Sequence, residues 1–305
     1  MKKNCSVGGQ ALIEGVMMRG KEGIATAVRK SDGEIVVTKE EFKPYSKRNK
    51  ILGLPIIRGF VSLIESLVIG MKSLNYSASF FEDEVEESKF DKWFQGIFKE
   101  KSDSIIMGFS FFISIIISIT LFIALPNIIA NLFKKTGIEN TLMLNIIEGL
   151  IRVTLFIIYI LVISRMEEIR RVFEYHGAEH KAIFCYENGD ELTPEKAKQY
   201  PRLHPRCGTN FMFLVMIVSI MLFSLVGWQS LPQRIIYRLL LLPVVSGITY
   251  EIIKWMGRGN SALSRIMAMP GLALQKITTN EPDLSQLEVA IKSLKVAEGI
   301  EDNEY

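Results

Sequence analysis

The sequence predicts a mainly α-helical protein that crosses a membrane about four times, in two helical hairpins. A small β element at the N-terminus and a cytoplasmic loop rich in histidine complete the predicted fold. The first observation is composition, because 49% of the 305 residues are hydrophobic and the mean hydropathy is +0.24, which is too apolar for an ordinary soluble protein. The second is the pattern of long apolar stretches, separated by a polar segment that carries every histidine. The third is a concentration of strand and turn signals near the N-terminus.

Residues 1 to 50 form the predicted β hairpin element. Residues 24 to 28 and 34 to 38 flank Lys30-Ser31-Asp32-Gly33, a pattern typical of a hairpin with Asp-Gly in its turn. Residues 11 to 18 are a candidate third strand. The glycine-rich segment GGQALIEGVMMRG lacks the lysine and serine spacing of a phosphate-binding loop, which favours a turn and a strand over a site for a phosphate or a lipid headgroup.

Residues 51 to 104 are predicted to hold an amphipathic or re-entrant helix and a charged connector. Residues 51 to 74 are long enough to span a membrane, but they contain charged residues, among them Arg58 and Glu65 on one helical face. An interfacial helix is therefore favoured over a span. Residues 81 to 101 include an acidic run, which is typical of a solvated connector.

Residues 105 to 164 and residues 211 to 253 are the two predicted transmembrane hairpins. Glu148 and Arg152 lie four residues apart within the first hairpin, the spacing of a helical ion pair. We interpret them as a structural pair. A polar path through the helices that also uses Glu251 is the alternative.

The distribution of basic residues predicts the orientation. Residues 165 to 210, between the hairpins, contain eight lysines and arginines, so the positive-inside rule predicts a multi-pass protein of the cell membrane with this loop and both termini in the cytoplasm. Residues 254 to 305 are then a cytoplasmic tail, with an amphipathic helix from Pro282. The net charge of +3 gives no argument for nucleic acid, and the expected partner is the lipid bilayer. Protein partners stay unknown.

The histidines define the candidate site. A helix would place His176 and His180, four residues apart, on one face within reach of one ion. With Glu179 they form His-x-x-Glu-His, a pattern in which two histidines bind zinc and the glutamate acts as the catalytic base. Gly177 weakens the helix argument, since glycine disfavours helix interiors, and it would equally suit a turn that aims His176 inward.

The motif HPRC supplies the second half of the site. Pro205 restricts His204 to extended geometry, and Gly208-Thr209-Asn210 is typical of the start of the hydrophobic helix that follows. Cys207 then lies just before a helix N-terminus, where the helix dipole favours the thiolate. We therefore predict a divalent metal, with zinc as the expected ion, held by ligands from both halves.

The predicted metal ligands are His176, His180, His204 and Cys207, and the predicted catalytic residue is Glu179. Four ligands that include Cys207 would close a structural site, whereas without Cys207 a water would fill the fourth position and Glu179 would serve as base. Two metal-free alternatives remain: polar side chains that pack a loop, and a nucleophilic pair of Cys207 and His204. The expected function is a metal-dependent hydrolase that acts on a membrane-associated substrate. A non-catalytic membrane scaffold or assembly factor with a structural metal is the alternative, and an ion or metal transporter is third.

Several segments resemble the YqhQ-like family of uncharacterised bacterial membrane proteins, whose members are often labelled predicted metal-dependent enzymes. The matching segments are residues 8 to 20, 55 to 59, 175 to 183, 204 to 211 and 270 to 291. They extend over nearly the whole chain and occur in order. The resemblance implies a metal site at His176, Glu179, His180, His204 and Cys207.

Overall fold

The computed structural model describes residues 7–81, 102–225, 227, 230–256 and 261–301. The chain divides into two compact units. Unit 1 comprises Met1–Phe80, Tyr159–Val218 and Leu241–Tyr305, and unit 2 comprises Phe81–Ile158 and Ser219–Leu240. All three histidines therefore lie in unit 1.

Unit 1 begins with an antiparallel sheet whose strands follow chain order: β1 (Gly8–Leu12), β2 (Gly15–Arg19), β3 (Ile24–Arg29) and β4 (Ile35–Glu40). The predicted hairpin is confirmed, because β3 pairs with β4 across a turn in which Gly33 has a φ of +89°. The predicted third strand is wrong in one respect. The chain reverses at Glu14, which has a φ of +49°, so this stretch contributes β1 and β2 rather than one strand.

Helices make up most of the remaining described structure, so the prediction of a mainly helical protein with a small N-terminal sheet is confirmed. They are α1 (Tyr45–Arg48), α2 (Ile57–Ala78), α3 (Ser102–Ile119), α4 (Leu125–Lys135), α5 (Thr141–Ile163), α6 (Glu167–Asn188), α7 (Pro194–Lys198), α8 (Gly208–Ser224), α9 (Leu231–Met256), α10 (Ala262–Thr278) and α11 (Leu284–Glu298). A π-helical turn at Thr120–Ala124 joins α3 to α4.

Within the described residues, three helical segments are long and apolar enough to cross a membrane: Phe111–Lys135, Thr141–Ile163 and Pro232–Met256. The remaining predicted span, residues 211 to 228 in the second hairpin, corresponds to α8, an apolar helix of 17 residues. A helix that crosses the hydrocarbon core usually has about 20 residues, with a range of about 17–25, so α8 is at the lower limit for a crossing. The predicted helix in residues 51 to 74 is α2, which is not among the three segments. The charged connector lies almost wholly outside the described residues.

The core of unit 1 is packed among the sheet, α6 and α11. A capping box starts α11, because Asp283 accepts the backbone N–H of Gln286 at 2.8 Å while the Gln286 side chain accepts the N–H of Asp283 at 3.0 Å. The predicted amphipathic helix is confirmed, because four of its apolar residues are buried, whereas Leu284 in its first turn is exposed. The buried positions are Leu287, Val289, Ile291 and Leu294.

Residues 165 to 210 are mostly helical, which corrects the prediction of a histidine-rich loop. His176 and His180 both lie on α6, and His204 lies in the loop before α8. The helix continues through Gly177. The missing side chain at this position makes room for the segment that contains Asn280. A Cβ on Gly177 would lie 2.1 Å from the carbonyl oxygen of Asn280.

Contacts with the sheet fix the position of α6 in unit 1. Arg171 donates to both carboxylate oxygens of Glu14, in the β1–β2 turn, and the Tyr175 hydroxyl donates to Glu14 at 3.1 Å. Near the other end, the Tyr186 hydroxyl donates to Glu298 of α11 at 2.5 Å. The two histidines lie between these anchors, so a packed scaffold positions them.

Candidate metal centre

The spacing of His176 and His180 places their rings one above the other on α6, with ring centroids 4.5 Å apart. The structure thus favours the helical alternative for this motif over the turn. Both rings face the loop that leads into α8.

A backbone carbonyl fixes the orientation of each ring. His176 Nδ1 lies 2.8 Å from the carbonyl oxygen of Thr278, the last residue of α10, and His180 Nδ1 lies 2.5 Å from that of Arg202. A carbonyl oxygen only accepts, so Nδ1 carries the proton in each neutral ring. The lone pair of Nε2 is therefore free to bind a metal. An imidazole that ligates zinc is commonly oriented in this way.

Cys207 completes the group from the N-terminus of α8. Its Sγ accepts the backbone N–H of Thr209 at 3.4 Å and lies 3.0 Å from the Thr209 hydroxyl. The same Sγ lies 3.2 Å from His176 Nε2. The predicted position of Cys207, just before a helix N-terminus, is confirmed. Its sulfur acts as the N-cap of α8.

His176, His180 and Cys207 each offer one ligand atom, and these atoms all lie within 4.8 Å of one another. In a tetrahedral zinc site the ligand atoms are separated by about 3.3–3.6 Å, so modest side-chain adjustment brings all three to bonding distance. His180 Nε2 is buried and has no hydrogen-bond partner among the described residues, as expected for an atom that awaits a ligand. Burial lowers the pKa of His180 and favours the neutral form that binds metals. The donor set fits zinc.

His204 lies beside this group without belonging to it. Its ring centroid is 5.7 Å from that of His180, and its Nδ1 accepts the backbone N–H of Arg206 at 3.3 Å. The neutral ring therefore carries its proton on Nε2, which lies 3.7 Å from the carboxylate of Glu187. Burial lowers the pKa of His204 to about 4. Gln275 of α10 holds the backbone of His204 through two hydrogen bonds of 2.8 Å.

Glu179 is buried on α6 and faces the edge strand β1. Its carboxylate accepts the backbone N–H of Gly9, and a Cβ on Gly9 would lie 3.0 Å from the Glu179 carboxyl carbon. Burial raises the pKa of Glu179, while His176 and His204 act in the opposite direction. A Cβ on Gly9 would also lie 2.5 Å from the carbonyl oxygen of Met17, so both neighbours explain a glycine in β1. The sequence alone predicts only a turn and a strand for that glycine-rich segment.

The fold and this group define a class: a mainly helical protein with apolar helices of membrane-spanning length and a cluster of two histidines and a cysteine beside a small β-sheet. The chain belongs to the family described as "Protein of unknown function (DUF1385)", whose profile matches residues 54–299. It is 37% identical over 292 residues to the "Uncharacterized protein YqhQ" of Bacillus subtilis (strain 168), an alignment that covers 94% of this chain and 90% of that protein. The predicted family is confirmed. No solved structure matches.

Proposed function

We propose that the protein is a multi-pass membrane protein, with both termini in the cytoplasm, that binds one divalent metal at His176, His180 and Cys207. The expected metal is zinc, and the expected activity is hydrolysis of a membrane-associated substrate. The lipid bilayer is the expected partner, because the three apolar helices have the length and composition of membrane spans.

One observation carries the metal proposal. Two imidazoles and a sulfur converge within 4.8 Å, and each imidazole has its Nδ1 engaged by a backbone carbonyl. Packing of a loop does not explain why the Nε2 lone pairs of both histidines are directed at one thiol, whereas a shared metal does. Nitrogen and sulfur donors favour zinc over calcium or magnesium, which prefer oxygen.

Three protein ligands leave a fourth position for water or substrate, the arrangement typical of catalytic zinc sites. His176 and Cys207 are only partly buried, so solvent reaches this side of the group. When bound, the metal supplies Lewis-acid activation of water. Glu179 is the residue of this chain that would take the proton, as in the His-x-x-Glu-His pattern. Burial raises the pKa of Glu179, which makes its carboxylate a stronger base.

The ring of His204 favours a second candidate, a scaffold with a structural metal. Its Nε2 has no hydrogen-bond partner among the described residues, and its ring lies next to that of His180. A rotation that brought this nitrogen into the group, with the ring proton shifted from Nε2 to Nδ1, would give four protein ligands and a closed site. The metal would then join α6 to the start of α8 and leave no position for water.

Metal analysis of the purified full-length protein tests the proposal and separates the two versions. We expect about one zinc per chain in the wild type, and loss of most of it in His180→Ala and Cys207→Ser. His204→Gln is the matched variant: an open site keeps its zinc, and a closed site loses it. A wild-type protein without metal, after purification in zinc-containing buffer, contradicts both versions.

Glu179→Gln separates catalysis from scaffolding. The substitution removes the base, keeps the size of the side chain and leaves the ligands in place. In a deletion strain, the envelope-lipid profile is compared after complementation with the wild type and with this variant. Retained zinc with failed complementation supports catalysis, whereas retained zinc with full complementation supports the scaffold.

A further inference from the structure

Unit 2 contains a cluster of one carboxylate and three guanidinium groups, well separated in sequence from the metal ligands. Glu148 and Arg152 come from α5, and Arg234 and Arg238 come from α9. Arg152 donates to Glu148 at 2.6 Å, and Arg234 and Arg238 each also donate to the same carboxylate. The sequence predicts the pair of Glu148 and Arg152, whereas the two arginines of α9 join it only in the folded chain.

A proline in the preceding helix fixes one member of the cluster. Pro126 has no N–H to give to the carbonyl oxygen of Phe122, four residues earlier, and the chain forms a π-helical turn here. Arg152 Nε donates to this carbonyl oxygen at 3.0 Å. The guanidinium of Arg152 is thereby held with its Nη2 against Glu148.

The charges in this cluster do not balance. Arg152 and Arg238 share the one carboxylate of Glu148, so these two guanidinium groups alone leave one positive charge in excess among the described side chains. The cluster is enclosed, with the Glu148 side chain 1% exposed and the Arg238 side chain 8% exposed. Burial of an uncompensated charge costs several kcal/mol. One arginine is enough to join the two helices through Glu148. Each further arginine without a carboxylate of its own adds the cost of burying a charge.

Arg238 provides the second observation. Its Nη2 donates to Glu148, while its buried Nη1 has no hydrogen-bond partner among the described residues. The guanidinium also lies 5.2 Å from the ring centroid of Phe223, which limits its rotation. The Nη1 donor of a buried guanidinium is therefore left for a ligand.

We propose that this cluster binds a phosphate group. A guanidinium fork matches two phosphate oxygens, and a phosphate carries the negative charge that the cluster lacks. Arg234 and Arg238 lie in the first two turns of α9, at one end of a candidate span. Lipid phosphates lie at that depth when such a helix spans a bilayer. The phosphate belongs either to the headgroup of an anionic lipid or to a soluble phosphate.

The test uses delipidated full-length protein in a neutral detergent, with two probes. Native mass spectrometry measures retention of phosphatidylglycerol against phosphatidylcholine, and calorimetry measures binding of inorganic phosphate. Arg238→Gln removes the guanidinium with the unpartnered Nη1 and leaves Glu148 paired with Arg152. Arg170→Gln is the matched control, because it removes one arginine charge from an exposed position on α6.

We expect the wild type to bind at least one probe and Arg238→Gln to bind it at least about tenfold more weakly, since one charged fork is lost. Arg170→Gln should bind like the wild type. Preference for phosphatidylglycerol without binding of inorganic phosphate identifies a lipid headgroup, and the reverse identifies a soluble phosphate. Arg238→Lys keeps the charge without the fork, so it should fold and bind more weakly than the wild type even if Arg238→Gln fails to fold. Absence of binding to both probes, or equal binding by the wild type and the Arg238 variants, overturns the proposal.

Discussion

Gly177 offers a sharp test of how the site is built, because two physical effects predict opposite results for Gly177→Ala. The residue lies inside α6, where alanine favours the helix by about 1 kcal/mol over glycine. A Cβ at this position would, however, lie 2.1 Å from the carbonyl oxygen of Asn280. The neighbour is backbone, so no change of rotamer relieves the overlap.

The overlap should outweigh the gain in helix propensity. Overpacking of a tight contact costs about 1–3 kcal/mol. The displaced segment also holds the hydrogen bond from the Asn280 N–H to the Phe173 carbonyl, 2.8 Å long, and its loss costs about 1 kcal/mol. We therefore expect Gly177→Ala to lower the free energy of unfolding by about 1–3 kcal/mol after subtraction of the propensity gain. Zinc affinity should fall as well, because the Thr278 carbonyl that orients His176 lies two residues before Asn280.

Urea unfolding of the purified protein in detergent, followed by far-UV circular dichroism, measures the change. Gly208→Ala is the control, since a Cβ at Gly208, the first residue of α8, meets nothing within 4 Å. A Gly177→Ala protein that is more stable than the wild type and keeps its zinc would refute the reasoning. It would mean that the α6 backbone is not pressed against Asn280.

Two further predictions concern acid and chelation. Burial lowers the pKa of His204 from 6.5 to about 4, so the unfolded chain binds this proton at a higher pH than the folded chain. The free energy of unfolding of the metal-free protein should therefore fall by about 3 kcal/mol between pH 6.5 and 4. In His204→Gln, urea unfolding should show a weaker dependence of this free energy on pH. An unchanged pH dependence in this variant would show that His204 is not its cause. Chelation of the metal should leave the far-UV circular dichroism spectrum unchanged, because His176, His180 and Cys207 each have a protein partner of their own. A large loss of helix on chelation would show instead that the metal holds the fold together.

Much of the fold follows from local patterns, which explains where prediction succeeded. The Asp-Gly turn and the amphipathic pattern of α11 each depend on a few neighbouring residues. The spacing of His176 and His180 is local in the same sense. A period of 3.6 residues is enough to place both rings on one face.

Prediction failed where a backbone atom far along the chain decides the geometry. The carbonyl of Thr278 orients His176 across 102 residues, and a main-chain acceptor has no signature in the sequence. Gly177 was read as a helix-weakening residue because its partner, the Asn280 carbonyl, lies more than a hundred residues away. The length of α8 was overestimated for a related reason. Its apolar sequence runs on to Trp228, whereas the helix ends at Ser224.

The candidate ligands also satisfy the ends of helices, which joins the chemistry of the site to the stability of the fold. The last carbonyl groups of a helix lack partners within it, and His176 Nδ1–H satisfies that of Thr278 at the end of α10. At the start of α8, the Cys207 sulfur accepts the backbone N–H of Thr209, which lacks a partner within the helix. Removal of His176 therefore disturbs a helix end as well as a metal ligand, and its effect on function would be ambiguous. Serine is itself a preferred N-cap, so Cys207→Ser keeps the capping bond while it removes the sulfur, and this substitution separates the two roles.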